Sequence, residues 1–98
     1  MTRSNQIVRA LGKLLPGATF GISSCRDWYS ITFAGQQLTI IAELQAAYGL
    51  DHAELFASTL PELEFALPGL IVADIAVANL TNNGENLCLE IDALILDE

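Results

Sequence analysis

Three acidic residues near the C-terminus, Asp74, Glu90 and Asp92, have types and a spacing that could support chemistry. Asp74 lies in an apolar segment over 70–81, and Glu90 and Asp92 lie two residues apart in the next apolar segment, over 85–96. Carboxylate oxygens are the ligands that Mg²⁺ and Ca²⁺ prefer, and paired carboxylates can also act as general acid and base. One hypothesis is therefore a small enzyme or a divalent-cation-binding domain that uses these three residues.

The rest of the chain carries no catalytic motif. His52 is the only histidine, and it could act as a base for Cys25, but no residue pattern around either one supports such a pair. Cys25 and Cys88 are too few and too far apart in sequence for a metal motif, so we expect two buried thiols in a reducing cytoplasm. The sequence also lacks a glycine-rich phosphate loop and a His-Glu-x-x-His helix. We therefore predict no catalytic residue and no bound cofactor.

The charge of the chain is strongly acidic and unevenly distributed. There are twelve Asp and Glu residues and four Lys and Arg residues, which gives a formal net charge of −8. All twelve acids lie from Asp27 onward, and the only basic residues are Arg3, Arg9, Lys13 and Arg26. Because a nucleic-acid-binding protein is expected to carry a basic patch, this distribution argues against direct nucleic-acid binding. It favours a basic protein as the partner, besides a general contribution to solubility.

Length and composition predict a single domain spanning residues 1–98, since 52% of the residues are apolar and can form one core. No apolar run reaches the length of a membrane-spanning helix. Residues 22–25 (Ile-Ser-Ser-Cys) follow a basic start and resemble a lipoprotein cleavage site, but Pro16, Gly17 and Gly21 interrupt the apolar segment before it. We therefore expect a cytoplasmic protein that does not contact a membrane.

Hydrophobic periodicity predicts an α+β fold with the element order α-β-β-β-α-(β)-β-β. The predicted elements are helices over 4–15 and 52–59, strands over 18–24, 28–34, 37–44, 70–81 and 85–96, and a short extended segment over 63–67. The second helix is expected to begin at the capping-box pattern Asp51-x-x-Glu54. The strands would form one antiparallel sheet of about five strands, with both helices on one face.

Gly35 predicts the turn of the middle hairpin, over 28–44, because a two-residue type II′ turn needs glycine at its first position. A Gly35-Gln36 turn pairs Phe33 with Leu38, Ile31 with Ile40 and Tyr29 with Ala42 on the core face. It leaves the opposite face to Trp28, Ser30, Thr32, Gln37, Thr39 and Glu43, with Ile41 as the exception. A helix over 36–50 is an alternative, since apolar residues in this segment also lie three or four positions apart.

The loop length of the C-terminal hairpin decides which residues share a face. A two-residue turn at Asn83-Gly84 would bury Asp74 among apolar side chains, which is energetically costly. A three-residue loop over 82–84 avoids this burial, with Gly84 in the left-handed conformation. This favoured register pairs Ile71, Ala73, Ile75 and Val77 with Ile95, Ala93, Ile91 and Leu89 on an apolar core face. It also sets Asp74 directly opposite Asp92.

The outer face of this predicted hairpin combines apolar side chains with carboxylates. Like charges that face each other across a strand pair are destabilising, and a basic residue of the N-terminal third, from this or a second copy, is one way to compensate them. The apolar remainder is too large to stay in water, so we predict an interaction surface covered by a second copy or another protein. Its residues are Val72, Asp74, Ala76, Ala78, Leu80, Glu90, Asp92, Leu94 and Leu96. The favoured function is a non-enzymatic, homodimeric interaction domain, of the inhibitor or immunity type, that binds a basic partner.

Overall fold

The computed structural model describes residues 3–98, apart from the side chains of Arg3 and Tyr48. In chain order the elements are α1 (Arg3–Leu14), β1 (Thr19–Tyr29), β2 (Ala34–Gln45), α2 (Ala46–Thr59), a 3₁₀ helix (Leu60–Glu62), β3 (Leu70–Asn82) and β4 (Asn86–Asp97). The strands form one antiparallel sheet in the order β1-β2-β4-β3. The predicted α+β class is confirmed, but the sheet has four strands instead of five, and the order is α-β-β-α-β-β.

Both helices pack on the same face of the sheet. Ile7 and Leu11 of α1 are fully buried, and their spacing of four residues places them on one side of the helix. From α2, Ala53 and Phe56 join the same buried cluster. The sheet side of this cluster is formed mainly by Leu38, Ile40, Ala42 and Leu44 of β2 and by Leu87, Leu89, Ile91, Ala93 and Ile95 of β4. Within 3–98, no helix is long and apolar enough to cross a membrane.

The start of α2 corrects the sequence-based prediction. Strand β2 runs to Gln45 and α2 begins at Ala46, so the segment over 36–50 is mostly strand and only its last five residues are helical. The N-cap, Gln45, makes no side-chain capping hydrogen bond. The Ala46 N–H instead donates to the Glu85 carbonyl oxygen at 2.9 Å. Because the β4 hairpin supplies this acceptor, the helix starts six residues before the predicted start at 52.

The turn between β1 and β2 lies at Ser30–Phe33, not at Gly35-Gln36. The Ser30 N–H donates to the Phe33 carbonyl at 2.8 Å, and the Phe33 N–H donates to Ser30 Oγ at 3.0 Å. Gly35 lies inside β2, where a Cβ would overlap the carbonyl oxygen of Ile95. Glycine is therefore needed for the close approach of β2 and β4. As a result, β1 continues past the strand predicted over 18–24 as far as Tyr29, and residues 30–33 of the strand predicted over 28–34 form the turn. The predicted partners of Leu38, Ile40 and Ala42 are therefore wrong, since these residues pair with Cys25, Ile22 and Phe20.

The segment predicted to be extended over 63–67 is not a strand of the sheet. It follows the 3₁₀ helix, and only Leu67 forms a bridge, to Leu70. Phe65 and Leu67 are partly buried against the core. Their alternation with polar residues therefore reflects packing of a loop on the core rather than pairing with another strand.

The C-terminal hairpin differs from the predicted register because β3 contains two bulges. Pairing is irregular between Val72 and Asp74 and between Val77 and Asn79, so Ala73 and Ala78 are the extra residues. The residues of β3 that face the core are thus Val72, Ile75, Val77 and Leu80, at spacings of three, two and three. The predicted core set of Ile71, Ala73, Ile75 and Val77 is wrong at its first two members, both of which are exposed.

The tip of this hairpin is held by asparagine side chains. Asn83 Oδ1 accepts hydrogen bonds from the N–H groups of Glu85 and Asn86, at 3.0 and 2.7 Å. Asn82 Oδ1 accepts one from Gly84 N–H at 2.8 Å. The predicted left-handed conformation of Gly84 is confirmed by its φ of 95°. However, Asn82 belongs to β3, so the loop is 83–85 rather than 82–84.

Candidate functional site

The face of the sheet opposite the helices carries five cross-strand rows, and we call this surface the open face. Residues directly opposite each other in an antiparallel sheet point to the same side, so the pairing registers define the rows. In the order β1, β2, β4, β3, row 1 is Trp28, Gly35, Leu96, Ile71; row 2 is Arg26, Gln37, Leu94, Asp74; row 3 is Ser24, Thr39, Asp92, Ala76; row 4 is Gly21, Ile41, Glu90, Asn79; and row 5 is Thr19, Glu43, Cys88, Thr81.

Most of the residues predicted for the interaction surface lie on the open face. The six that do are Asp74, Ala76, Glu90, Asp92, Leu94 and Leu96. Val72 and Leu80 do not, because the bulges turn them to the helix side, where they are partly buried against the core. Ala78 is itself a bulge residue and is exposed. The corrected surface also includes residues of β1 and β2.

The predicted pairing of Asp74 with Asp92 is wrong. The bulges set Asp74 opposite Leu94 and Asp92 opposite Ala76. Each carboxylate of β4 instead has a neutral donor beside it: Thr39 Oγ1 donates to Asp92 Oδ1 at 3.3 Å, and Asn79 Nδ2 donates to Glu90 Oε2 at 2.9 Å. Cross-strand hydroxyl and amide groups therefore donate hydrogen bonds to these two carboxylates.

The structure does not assemble the other chemical candidates. Across the part of the chain that is described, no group of three or more His, Cys, Asp and Glu side chains is arranged to hold a metal ion. His52 lines a cavity of about 570 Å³ at the end of the sheet where β1 begins, and Cys25 is not among its lining residues. Both cysteines are free thiols, and the expectation that both are buried is wrong for Cys25, which is exposed.

The apolar residues of the open face lie mainly on β4 and at the row 1 end. Leu96 is only 8% exposed, and Leu94, Ile41 and Cys88 are partly buried although neither helix covers them. Beside them lies a hollow of about 530 Å³, lined by Arg26, Asp27, Trp28, Gln37, Thr39 and Asp92. The open face is consequently most apolar at its row 1 end. One carboxylate lies in each of rows 2 to 5, and a single guanidinium, from Arg26, lies in row 2.

Arg26 is a residue of this surface that the sequence-based prediction missed. It falls between the strands predicted over 18–24 and 28–34, whereas in the structure it lies within β1 opposite Gln37. The available signal was the alternation of Ser24, Arg26 and Trp28, which continues the period of a strand through residues 25–27. The face positions predicted for β2 residues Gln37, Thr39 and Glu43 are confirmed.

A second acidic surface lies on α2 and the turn that follows it. Asp51, Glu54 and Glu62 are exposed there, together with Leu55 at 62% exposure and Leu63 at 38%. We call these five residues the α2 surface. It lies on the helix layer and is separate from the open face. Arg9 and Lys13 on α1 are the other basic residues with described side chains.

No protein-family model matches the chain, and no curated protein or solved structure matches it significantly.

Proposed function

We propose that this chain is a non-enzymatic protein-interaction domain. It forms a homodimer through the open face and binds a basic protein through the α2 surface. The observation that carries the proposal is the open face, an uncovered side of a four-stranded sheet. Antiparallel sheets remain soluble with one solvated face when that face is polar. Here the apolar side chains of Leu94 and Ile41 stay partly exposed and that of Ile71 is 40% exposed, which favours a cover.

The basic partner is supported by the distribution of charge. No Lys or Arg follows Arg26, while all twelve carboxylates do. On the α2 surface, three exposed carboxylates accompany the exposed side chains of Leu55 and Leu63. Such a surface complements a partner that carries Lys and Arg around apolar side chains, and the opposite charges also accelerate association.

Nucleic-acid-binding proteins are a class of partner with this chemistry, since their binding sites carry basic patches. An acidic domain that covers such a site competes with the phosphate backbone. The proposed activity is therefore that of an inhibitor or immunity-type protein, in which binding rather than catalysis blocks the partner.

Affinity capture from a native lysate at about 50 and about 150 mM salt tests this proposal, since exposed charge pairs weaken as salt screens them. The wild-type chain is expected to retain a basic protein at the lower salt and less of it at the higher salt. The triple variant D51N/E54Q/E62Q should lose it, because all three residues belong to the α2 surface.

The matched control is D27N/E85Q/E98Q, which changes the net charge from −8 to −5 as the first triple variant does, but at exposed positions outside the α2 surface. It is expected to retain the partner. If both triple variants lose the basic protein equally, the interaction depends on net charge alone and not on the α2 surface. Retention of no basic protein by the wild type at either salt would refute the proposal of a basic partner.

A further inference from the structure

Row 2 of the open face has opposite charges at its two ends. Arg26 lies on the edge strand β1 and Asp74 on the edge strand β3, and both side chains are exposed. Three strand spacings separate them, about 14 Å, which is too far for an ion pair within one chain. A second copy that reversed the strand order would bring each of these charges over its opposite.

We infer that two copies stack open face to open face, about a two-fold axis that runs parallel to the strands between β2 and β4. The inference rests on the homodimer of the proposed function and adds its geometry. Such an axis keeps every row in place, lays β1 over the partner's β3, and lays β2 over the partner's β4. Arg26 of each copy then lies over the partner's Asp74, and Trp28 lies over the partner's Ile71. Because the interface is isologous, each of these contacts forms twice.

The remaining charges agree with this axis. In no row does a carboxylate lie over another carboxylate: Asp92 lies over the partner's Thr39, Glu90 over the partner's Ile41, and Glu43 over the partner's Cys88. A second two-fold axis is possible between the two faces, perpendicular to the strands. It lays β4 over the partner's β4 and row 3 over the partner's row 3. Asp92 would then meet the partner's Asp92, which is unfavourable. The charges therefore select the axis parallel to the strands.

The size of the open face is sufficient for a stable contact. Four strands about 4.8 Å apart and five rows about 6.7 Å apart cover roughly 600 Å² in each copy. Two copies would bury about 1,200 Å² in total, at the lower end of specific protein interfaces. Mean strand directions in such a pair would cross at a small angle, as in aligned sheet packing. We therefore expect a reversible dimer.

Sedimentation equilibrium of charge-reversed variants tests this geometry. Arg26→Asp and Asp74→Arg should each raise the dimer Kd by about tenfold or more, since each replaces two attractive pairs with two repulsive ones. In an equimolar mixture the two variants can form a heterodimer. One chain then has an acid at both positions 26 and 74, and the other has an arginine at both. Both contacts between the chains are therefore attractive. The mixture, and the double variant R26D/D74R, should return to within about threefold of the wild-type Kd.

Net charge alone predicts a different result. Arg26→Asp moves the net charge from −8 to −10, and Asp74→Arg moves it to −6, so general repulsion would weaken one dimer and strengthen the other. Lys13→Asp and Glu64→Arg make the same two changes at exposed positions outside the open face and the α2 surface, and they should leave the Kd near the wild-type value. If a reversal variant does not fold by circular dichroism, Arg26→Gln and Asp74→Asn replace it, each with an expected rise of about threefold.

Each outcome decides between the two proposals. A wild-type dimer that neither reversal weakens, or singles that the mixture does not rescue, overturns the stacking geometry and leaves the homodimer in place. A wild-type chain that stays monomeric to about 100 µM, a concentration above the Kd of ordinary specific dimers, overturns both the geometry and the homodimer. Binding of a basic partner is judged separately, by the capture experiment with the α2 surface variants.

Discussion

Replacing Gly35 with alanine should destabilise the protein strongly, although the change adds a single methyl group to a strand. A Cβ at this position would overlap the Ile95 carbonyl oxygen, and it would lie 2.8 Å from Leu96 Cα and 2.9 Å from the Ile95 carbonyl carbon. All three atoms belong to the backbone of β4, so no flexible side chain can move aside. The paired strands must separate locally, which weakens the ladder at the centre of row 1.

The expected cost is about 3 kcal/mol, at the upper end of the range for overpacked positions, because the obstructing atoms are backbone. For a domain of this size each kcal/mol lowers the melting temperature by about 4–8 °C, so we expect a fall of about 12–24 °C. Thermal and urea unfolding, followed by circular dichroism at one protein concentration, measure it. A fixed concentration is needed because dimer formation adds to apparent stability.

Gly21→Ala is the matched control. Gly21 also lies in a strand, has no positive φ, and a Cβ there would have nothing within 4 Å. Its replacement is expected to be neutral or stabilising by up to about 1 kcal/mol, since alanine restricts the unfolded chain more than glycine does. If Gly35→Ala and Gly21→Ala have the same effect on stability, the argument that Gly35 exists for close strand approach is refuted.

Three further perturbations test other parts of the structure. Ile91→Ala should cost about 3 kcal/mol in urea unfolding, because Ile91 is fully buried at the centre of the sheet, whereas Ile31→Ser at the fully exposed hairpin tip should change stability by less than about 0.5 kcal/mol. A small difference between these two variants would contradict the assigned core. Asn83→Ala should cost about 1–2 kcal/mol, since two backbone N–H groups of the loop lose their acceptor; an unchanged urea midpoint would show that water replaces it fully. Millimolar Mg²⁺, Ca²⁺ or Mn²⁺ should leave the melting temperature unchanged in a thermal shift assay, because Asp74, Glu90 and Asp92 do not converge, and a rise of several degrees with one ion would restore the cation hypothesis.

The sequence predicted well those features that depend on local patterns. The spacing of Ile7 and Leu11 gave the first helix and its buried side, and the observed bounds differ by one residue at each end. The alternation in β2 placed Gln37 and Thr39 on the face away from the core. In both elements the period of apolar residues matches the regular geometry of a helix or a strand, so the periodicity is sufficient.

The prediction from sequence was wrong where a glycine could serve either of two structural purposes. Glycine satisfies the left-handed position of a tight turn, and it equally permits two strands to approach closely. Gly35 was interpreted in the first way and is used in the second. The real turn is instead stabilised by Ser30, whose side chain accepts a backbone hydrogen bond without any unusual backbone angle in residues 30–33. Only the partner strand β4 distinguishes the two uses, and strand order is not encoded in the local sequence.

The bulges of β3 explain why the open face is complementary to itself. At the tip, Leu80 pairs with Leu89, and regular alternation from there would set Asp74 opposite Ile95 on the core side. Burial of that carboxylate without a partner would cost several kcal/mol, about as much as the loss of a core side chain. The extra residue Ala78 moves Asp74 to the open face opposite Leu94, and it turns Val77 towards the core.

The second bulge, at Ala73, then returns Val72 to the core, so that β3 contributes apolar side chains along its whole length. In the bulge-free register predicted from sequence, Val72 would share row 2 with Arg26, and Asp74 would share row 3 with Asp92. The two-fold axis parallel to the strands would then lay Arg26 over a valine and Asp74 over the partner's Ser24. With Leu80 paired to Leu89, the bulges keep Asp74 out of the core, and the same shift supplies Arg26 with an acidic counterpart in its own row. The charge complementarity of the proposed dimer thus depends on two bulges that folding of the single chain is sufficient to explain. Removing a bulge would change the core as well as the open face. The dimer is therefore tested by exchanging charges between two chains.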